Sequence, residues 1–178
     1  MSDITVAKRY AVALFQIAKE QNLINQLEEE LRIVNEVFTK DNELLSFLAH
    51  PKMTKGAKGA LIANAFASLS SSVQNTVMLM VERHRTDEVT AMAQEFIELA
   101  NEENSVADAT VYTVRPLTET EVEAVSSSFA AKIGKRNLRI TNITDSNILG
   151  GIKLQIGNRI YDGTISGKLD RLNKQLLG

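Results

Sequence analysis

The chain has 178 residues, with 20 Lys+Arg against 22 Asp+Glu, a formal net charge of −2, 44% hydrophobic and 5% aromatic content, and neither Cys nor Trp. That length gives one domain or two small ones enough interior to fold, and the near-average composition excludes bulk disorder and collagen-like repeats. Without cysteine there is no disulfide scaffold, thiolate nucleophile or Cys-ligated zinc, and the longest apolar run, Val77-Met78-Leu79-Met80-Val81, is far short of the roughly 20 residues of a membrane-spanning helix.

Helical signals come first. Segments 4–20, 22–39, 41–49, 55–67, 71–84 and 87–104 each carry apolar residues at helical spacing or strong helix formers, separated by Asn22, Asp41-Asn42, His50-Pro51, Ser68–Ser72 and Thr86-Asp87. Pro51 cannot continue a helix and biases His50 away from helical geometry. The first twenty residues show no long apolar stretch with a small-residue cleavage site, so a cytoplasmic-side protein is expected.

Near Asn104-Ser105 the period changes from helix to strand. Residues 1–105 hold 10 basic and 15 acidic side chains, and 106–178 hold 10 and 7, so the net charge moves from −5 to +3. A strand is predicted over 106–114, then a helix opened by the capping box Thr118-x-x-Glu121 and closed near Gly134. Leu138-x-Ile140-x-x-Ile143 predicts a second strand. Ile152, Leu154 and Ile156 alternate with Lys153 and Gln155 as in a half-buried strand, and Gly157-Asn158 supplies a two-residue hairpin turn into Arg159-Ile160-Tyr161. A last helix from about Thr164 places Ile165, Leu169, Leu172 and Leu176 on one face. The expected fold is therefore α+β: a six-helix antiparallel bundle over 1–105, then a small mixed α/β domain over 106–178.

Catalytic and ligand-binding signals are missing. Neither a phosphate-binding G-x-x-x-x-G-K-[ST] nor a G-x-G-x-x-G is present, and Gly150-Gly151 reads as a tight entry into a strand. His50 and His84 stand at helix ends without a second ligand at helical spacing, so each reads as a complement to a helix dipole. Glu28-Glu29-Glu30 reads as a solvated charge run, since catalytic carboxylate pairs need burial that separates their pKa values. The serine runs lack a G-x-S-x-G elbow. Lys52, Lys55 and Lys58 around Gly56-Ala57-Lys58-Gly59 imitate a GXXG clamp, but no aromatic residue interleaves with them and this half is acidic. No enzyme activity, cofactor, metal or nucleic acid is expected.

The informative feature is surplus apolar surface. Eleven of the fifteen residues 4–18 are apolar, covering an arc of roughly 200°, about twice what one core contact needs. Tyr10, Ala13 and Ile17 form a side separate from Ala7, Ala11, Leu14 and Ala18. The run Val77–Val81 points all round its axis, and two of its members are adaptable Met. Either both helices are central and covered on every side, or they leave a groove between the first and fifth helices for a foreign amphipathic helix.

The same residues carry a family likeness. Ala7-Lys8-Arg9-Tyr10-Ala11-Val12-Ala13-Leu14-Phe15, Glu82-Arg83-His84-Arg85, and above all Leu138-x-Ile140-x-x-x-Thr144-Asp145-x-x-Ile148-x-Gly150-Gly151-Ile152-x-Leu154-Gln155-x-Gly157, followed by Asp162-Gly163-Thr164 and the Leu169/Leu172/Leu176 helix, resemble the δ subunits of bacterial F-type ATP synthases, relatives of the mitochondrial oligomycin-sensitivity-conferring protein. Ser166 departs from the family's usual Arg, and Thr113-Val114 from its Ser-Ala. The resemblance implies a non-catalytic connector in the peripheral stalk, on the cytoplasmic face of the bacterial membrane and peripheral to it through the complex, with no homo-oligomer. It implies that the helical domain binds the N-terminal helix of an α subunit through Tyr10, Ala13, Leu14, Ile17, Met78, Leu79 and Glu82. It also implies that the second domain holds the C-terminal end of the b subunit, with the basic C-terminal helix (Lys168, Arg171 and Lys174) and its hydrophobic neighbours as the contact. The competing reading is an RNA-binding helical protein of the antitermination type, which opens on a similar Arg-plus-Ala helix.

Overall fold

The computed structural model describes residues 3–50 and 53–177; Pro51 and Lys52, singled out above as a helix breaker and part of a basic cluster, lie outside them. The chain divides into two compact units, Met1–Ala100 and Asn101–Gly178. The division falls ahead of the expected Asn104-Ser105 because the last turn of a helix joins the second unit, where Asn101 Nδ2 donates to Asp108 Oδ2 at 2.7 Å.

The first unit contains α1 (Asp3–Glu20), α2 (Ile24–Lys40), α3 (Asn42–Ala49), α4 (Lys55–Ala65), α5 (Ser71–Glu82), a short 3-10 turn at Thr86–Glu88, and α6 (Val89–Glu103), whose last residues reach the second unit. Two helix ends close the same way. The amides of Leu23 and Asn22 donate back to Ala18 and Lys19, and those of Arg85 and His84 to Met80 and Val81. The pivots Asn22 and His84 take left-handed φ of 54° and 57°, the paired-bond termination that satisfies orphan carbonyls. That pivot makes α5 two residues shorter than the periodicity suggested. His84 is the left-handed residue just past the C-terminal end of α5.

One core fills this unit. Ala7, Ala11, Leu14 and Ala18 from α1 meet Leu27, Leu31 and Val34 from α2, Val77 and Met80 from α5, and Phe96 from α6. Phe15 lies edge-on to Phe96 at 5.7 Å between ring centroids, and Phe38 stacks on Phe66 at 6.0 Å.

Of the acidic run of α2, only Glu29 faces solvent. Glu28 is 2% exposed and bonded to Arg32 at 2.9 Å, and Glu30 is 9% exposed. Glu30 accepts from the Ser70 amide at 2.9 Å and hydroxyl at 2.6 Å with one oxygen, and from Gln26 Nε2 at 2.9 Å with the other. A carboxylate thus sits at the N-terminus of α5, where the free amides and dipole favour negative charge. Glu30→Ala should strand the Ser70 donors and destabilise the first unit by roughly 2–3 kcal/mol, read as a lower urea midpoint with an unchanged slope. Gly56-Ala57-Lys58-Gly59 is helix, not loop, and Lys58 is buried with its ammonium on the Leu48 carbonyl, so the clamp-like spacing is a coincidence of helical packing.

In the second unit, β1 (Val106–Thr113), α7 (Glu119–Ile133), β2 (Asn137–Thr144), β3 (Lys153–Ile156), β4 (Arg159–Asp162) and α8 (Ile165–Leu177) follow in order. The sheet runs β2-β1-β3-β4, with β1 and β2 parallel across the α7 crossover and the other pairs antiparallel. Thr118 and Glu121 close the capping box on α7 reciprocally, and Gly134 ends it at φ 69°. Ala109, Val111, Leu138 and Leu154 from the strands and Ala130 from α7 form the core, bordered by Phe129 and Tyr161, which meet edge to face at 5.4 Å.

Gly150 and Gly151 lie in the loop before β3. Gly151 has φ +84°, and a Cβ there would stand 2.5 Å from the Gly163 carbonyl oxygen. The loop in turn seats α8, because the Ile165 amide donates to the Gly150 carbonyl at 3.0 Å.

Candidate functional surfaces

The exposed sides of α1 and α5 answer the question of surplus apolar surface differently. On α1, Ala7, Ala11, Leu14 and Ala18 are all at or below 1% exposure, whereas Ala13 is exposed and Ile17 is 42% exposed. At about 100° per residue, Tyr10, Ala13 and Ile17 share an arc roughly 100° away from the core face. A third side meets α6, with Phe15 on Phe96 and Lys8 at 3.8 Å from Glu95.

The apolar run of α5 is mostly core. Val77, Met80 and Val81 are buried, Met78 is half-buried, and only Leu79, at 40%, stands clear. Met78 leans on α4, its Sδ 3.3 Å from where a Cβ on Gly59 would be. For most of this helix the central-helix reading is the correct one.

α1 and α5 are packed neighbours, and the reversal at His84 joins them further. Arg85 is turned back so that its guanidinium lies 5.8 Å from the Tyr10 ring centroid and NH1 3.5 Å from the phenol oxygen. Tyr10 is therefore held in place while its neighbours Ala13 and Ile17 stay open. Glu82 is exposed at the end of α5. Leu14 needs correction: at 1% exposure it belongs to the core beneath this surface and cannot touch a partner.

Sequence patterning did not single out a second apolar surface on this unit. A cleft of about 580 Å³ lined by Ile33, Glu36, Val37, Lys40, Asp41 and Glu43 adjoins one of about 260 Å³ reaching Leu44, Phe47 and Leu61. Ile33 is 50% and Phe47 44% exposed there. The available signal was α3 itself, whose Leu44, Leu45, Phe47 and Leu48 exceed what one face of an eight-residue helix can bury.

On the second unit, α8 carries the assigned stalk residues. Lys168 and Lys174 are exposed. Arg171 is not available as a free cation, because its Nε donates to the Gly167 carbonyl and NH2 to the Asp162 carbonyl, each at 3.0 Å. Asp162 also accepts from the Thr164 hydroxyl at 2.7 Å and amide at 2.9 Å, contacts that hold its carboxyl below the usual carboxylate range. A cleft of about 450 Å³ between the start of α7 and the Gly150-Gly151 loop adds exposed Val114 and Leu149.

Beside that cleft, Arg115 grips Glu121 through two bonds of 3.0 and 2.7 Å. This pairing, with the Thr118 amide, lowers the Glu121 carboxyl from its ordinary 4.5 to about 2. A depressed carboxyl stabilises the fold above its unfolded pKa, and that contribution disappears as pH falls from about 4.5 towards 2. A carbon-detected NMR titration should find the Glu121 midpoint near 2, and Arg115→Gln should move it up toward the ordinary value.

Among the described residues, no group of three or more His, Asp or Glu is placed to hold a metal, and no helix is long and apolar enough to cross a membrane. Residues 6–176 match the family model described as the ATP synthase delta (OSCP) subunit. The chain belongs to that family. An ATP synthase subunit delta from Geobacillus sp. (strain WCH70) is 53% identical over 178 residues, covering 100% of both chains. One from Anoxybacillus flavithermus is 54% identical over 99% of each, and one from Priestia megaterium 52% identical over 99% of this chain and 98% of its own. The fold is shared with a chain in a cryo-EM structure of the Toxoplasma gondii mitochondrial ATP synthase hexamer, at TM-score 0.71, 20% identity and 97% coverage of each chain. Membership makes this chain a structural subunit of the ATP synthase peripheral stalk and not a catalyst, and the RNA-binding alternative falls.

Proposed function

We propose that the first unit grips the catalytic head and the second grips the stalk, so that the stator does not follow the rotor. The head contact is the N-terminal amphipathic helix of an α subunit, laid along the open side of α1 next to α5. Ala13, Ile17 and Leu79 supply its apolar contact, while Tyr10 and Glu82 supply polar edges. The observation that carries this reading is the second apolar side of α1, exposed in a helix whose other apolar side is already fully used in the core. A small residue at Ala13 lets an incoming helix approach closely, and burial of ~400 Å² of apolar surface is worth on the order of 10 kcal/mol before ordering costs. In a bacterial cell this assembly stands on the cytoplasmic face of the membrane, with the second unit holding the C-terminal end of the b subunit.

Titration of isotope-labelled chain with a synthetic peptide of the α-subunit N-terminus tests the head contact. Amide shifts should concentrate on residues 10–17 and 79–85. Shifts confined to the Ile33–Phe47 cleft would move the contact to α2 and α3 and overturn the assignment to α1 and α5.

A further inference from the structure

The head contact can be given a charge pattern, one that rests on the reading of α1 and α5 above. The first 105 residues are acidic, with 10 basic against 15 acidic side chains, and hold four arginines. Arg32 is paired with Glu28 within α2. The other three, Arg9, Arg83 and Arg85, gather at the Tyr10 end of the α1/α5 surface, and among the described residues none of them forms an ion pair.

Each reaches that end for a local reason. Arg9 precedes Tyr10 on α1, and at about 100° per residue it stands on the outer rim of the arc that holds Tyr10, Ala13 and Ile17. Arg83 follows Leu79 by four residues and so continues the strip of α5 on which Leu79 is exposed. Arg85 is turned back by His84 at φ 57° and lies on the Tyr10 ring, with one guanidinium nitrogen 3.5 Å from the phenol oxygen. That contact fixes the guanidinium in place and leaves most of its five N–H donors without a partner among the described residues. Arg9 and Arg83 are exposed and Arg85 is half-buried. Glu82 is the acid nearest in sequence, and it is paired with none of them.

Three like charges around one aromatic side chain repel one another, and in the free chain only water offsets that. An apolar helix laid over Ala13, Ile17 and Leu79 would strip water from this end, and a desolvated cation without a counter-charge is costly. The surface is therefore complementary to a helix that is apolar along its length and carries carboxylates at one end. The planar guanidinium fork suits a carboxylate in particular, which it can hold through two bonds. The other end of α1 carries Glu20, exposed three residues past Ile17, so a helix laid in reverse would bring acid to acid. We propose that Arg83 and Arg85, with Arg9 beside them, are specificity-determining residues of the head contact. They receive carboxylate side chains from the part of the α-subunit helix lying over Tyr10, and so set its direction along α1.

The test uses the full chain and a synthetic peptide of the α-subunit N-terminus, with affinity measured by calorimetry. At low salt Arg83→Gln should weaken binding about fivefold and Arg85→Gln about tenfold, with both losses shrinking at high salt. Lys40→Gln, which removes a cation at the far end of α2, should change it less than twofold. A peptide with Asn and Gln in place of every Asp and Glu should bind the parent about as weakly as the native peptide binds the Arg83→Gln/Arg85→Gln chain. That double variant should no longer distinguish the two peptides. Arg83→Glu should bind a peptide with Lys in place of its acids more tightly than the parent does, a rescue that a merely structural arginine would not give. Thermal unfolding of Arg83→Gln should match the parent, because Arg83 is exposed. Equal affinity of the native and the neutral peptide for the parent overturns the arginine assignment and leaves the α1/α5 reading standing. Failure of the parent to bind the native peptide overturns both.

Discussion

Ala13→Asp is expected to abolish co-purification of the chain with the catalytic head while leaving its own fold intact. Ala13 is exposed on α1, so a carboxylate there remains hydrated in the free chain, and unfolding midpoints should shift by less than about 0.5 kcal/mol. Under a docked helix the same carboxylate would lose water, and Arg9, one turn back on α1, would offset only part of that loss. Burying a charge in an apolar contact costs several kcal/mol, or more than 100-fold in affinity. Pull-down of the head subunits and ATP-driven proton pumping in reconstituted membranes both read the outcome. Retained binding with retained coupling would place the head contact elsewhere. Leu14→Ala provides the contrast: Leu14 is in the core, so its loss should lower stability by about 2–5 kcal/mol, with any loss of binding following from unfolding.

Gly151→Ala should be the most damaging single-methyl change in the second unit. Two costs add at this position. A left-handed φ of +84° is unfavourable for any residue with a Cβ, and the new Cβ would press on the Gly163 carbonyl at 2.5 Å, a backbone atom that cannot swing away. About 3–5 kcal/mol of destabilisation is expected, measured by urea unfolding. The effect should also reach α8, because Gly150 accepts the Ile165 amide. Hydrogen exchange at residues 165–168 should accelerate more than at β1, while Gly157→Ala, also at positive φ but with open space around it, should cost only the backbone strain, about 1 kcal/mol.

Local chemistry was legible in the sequence wherever the partner lay within a few residues. Thr118 and Glu121 close the predicted box, Gly157-Asn158 turns β3 into β4, and the four apolar residues of α8 share one side. The two apolar sides of α1 were also legible, since helical spacing alone separates Ala13 and Ile17 from Leu14 and Ala18. What escaped depends on distant partners. Glu30 looks solvated until Ser70, forty residues on, arrives to share it, and Lys58 until the Leu48 carbonyl covers it. Likewise, Val77, Met80 and Val81 read as surplus because the sequence does not say how many neighbours α5 has. The Ile33–Phe47 cleft arises where α2, α3 and α4 meet, a juxtaposition no single helix reveals.

The way α8 is fastened sets how it would carry load. Its attachments cluster at one end, where Ile165 bonds to Gly150, Thr164 to Asp162, and Arg171 reaches back to Asp162 at the end of β4. A pull along the helix axis would strain these bonds together, whereas a sideways pull at Leu176 would peel them in turn from the near end. A partner laid alongside α8 would deliver the first kind of force, and one gripping only its far end would deliver the second.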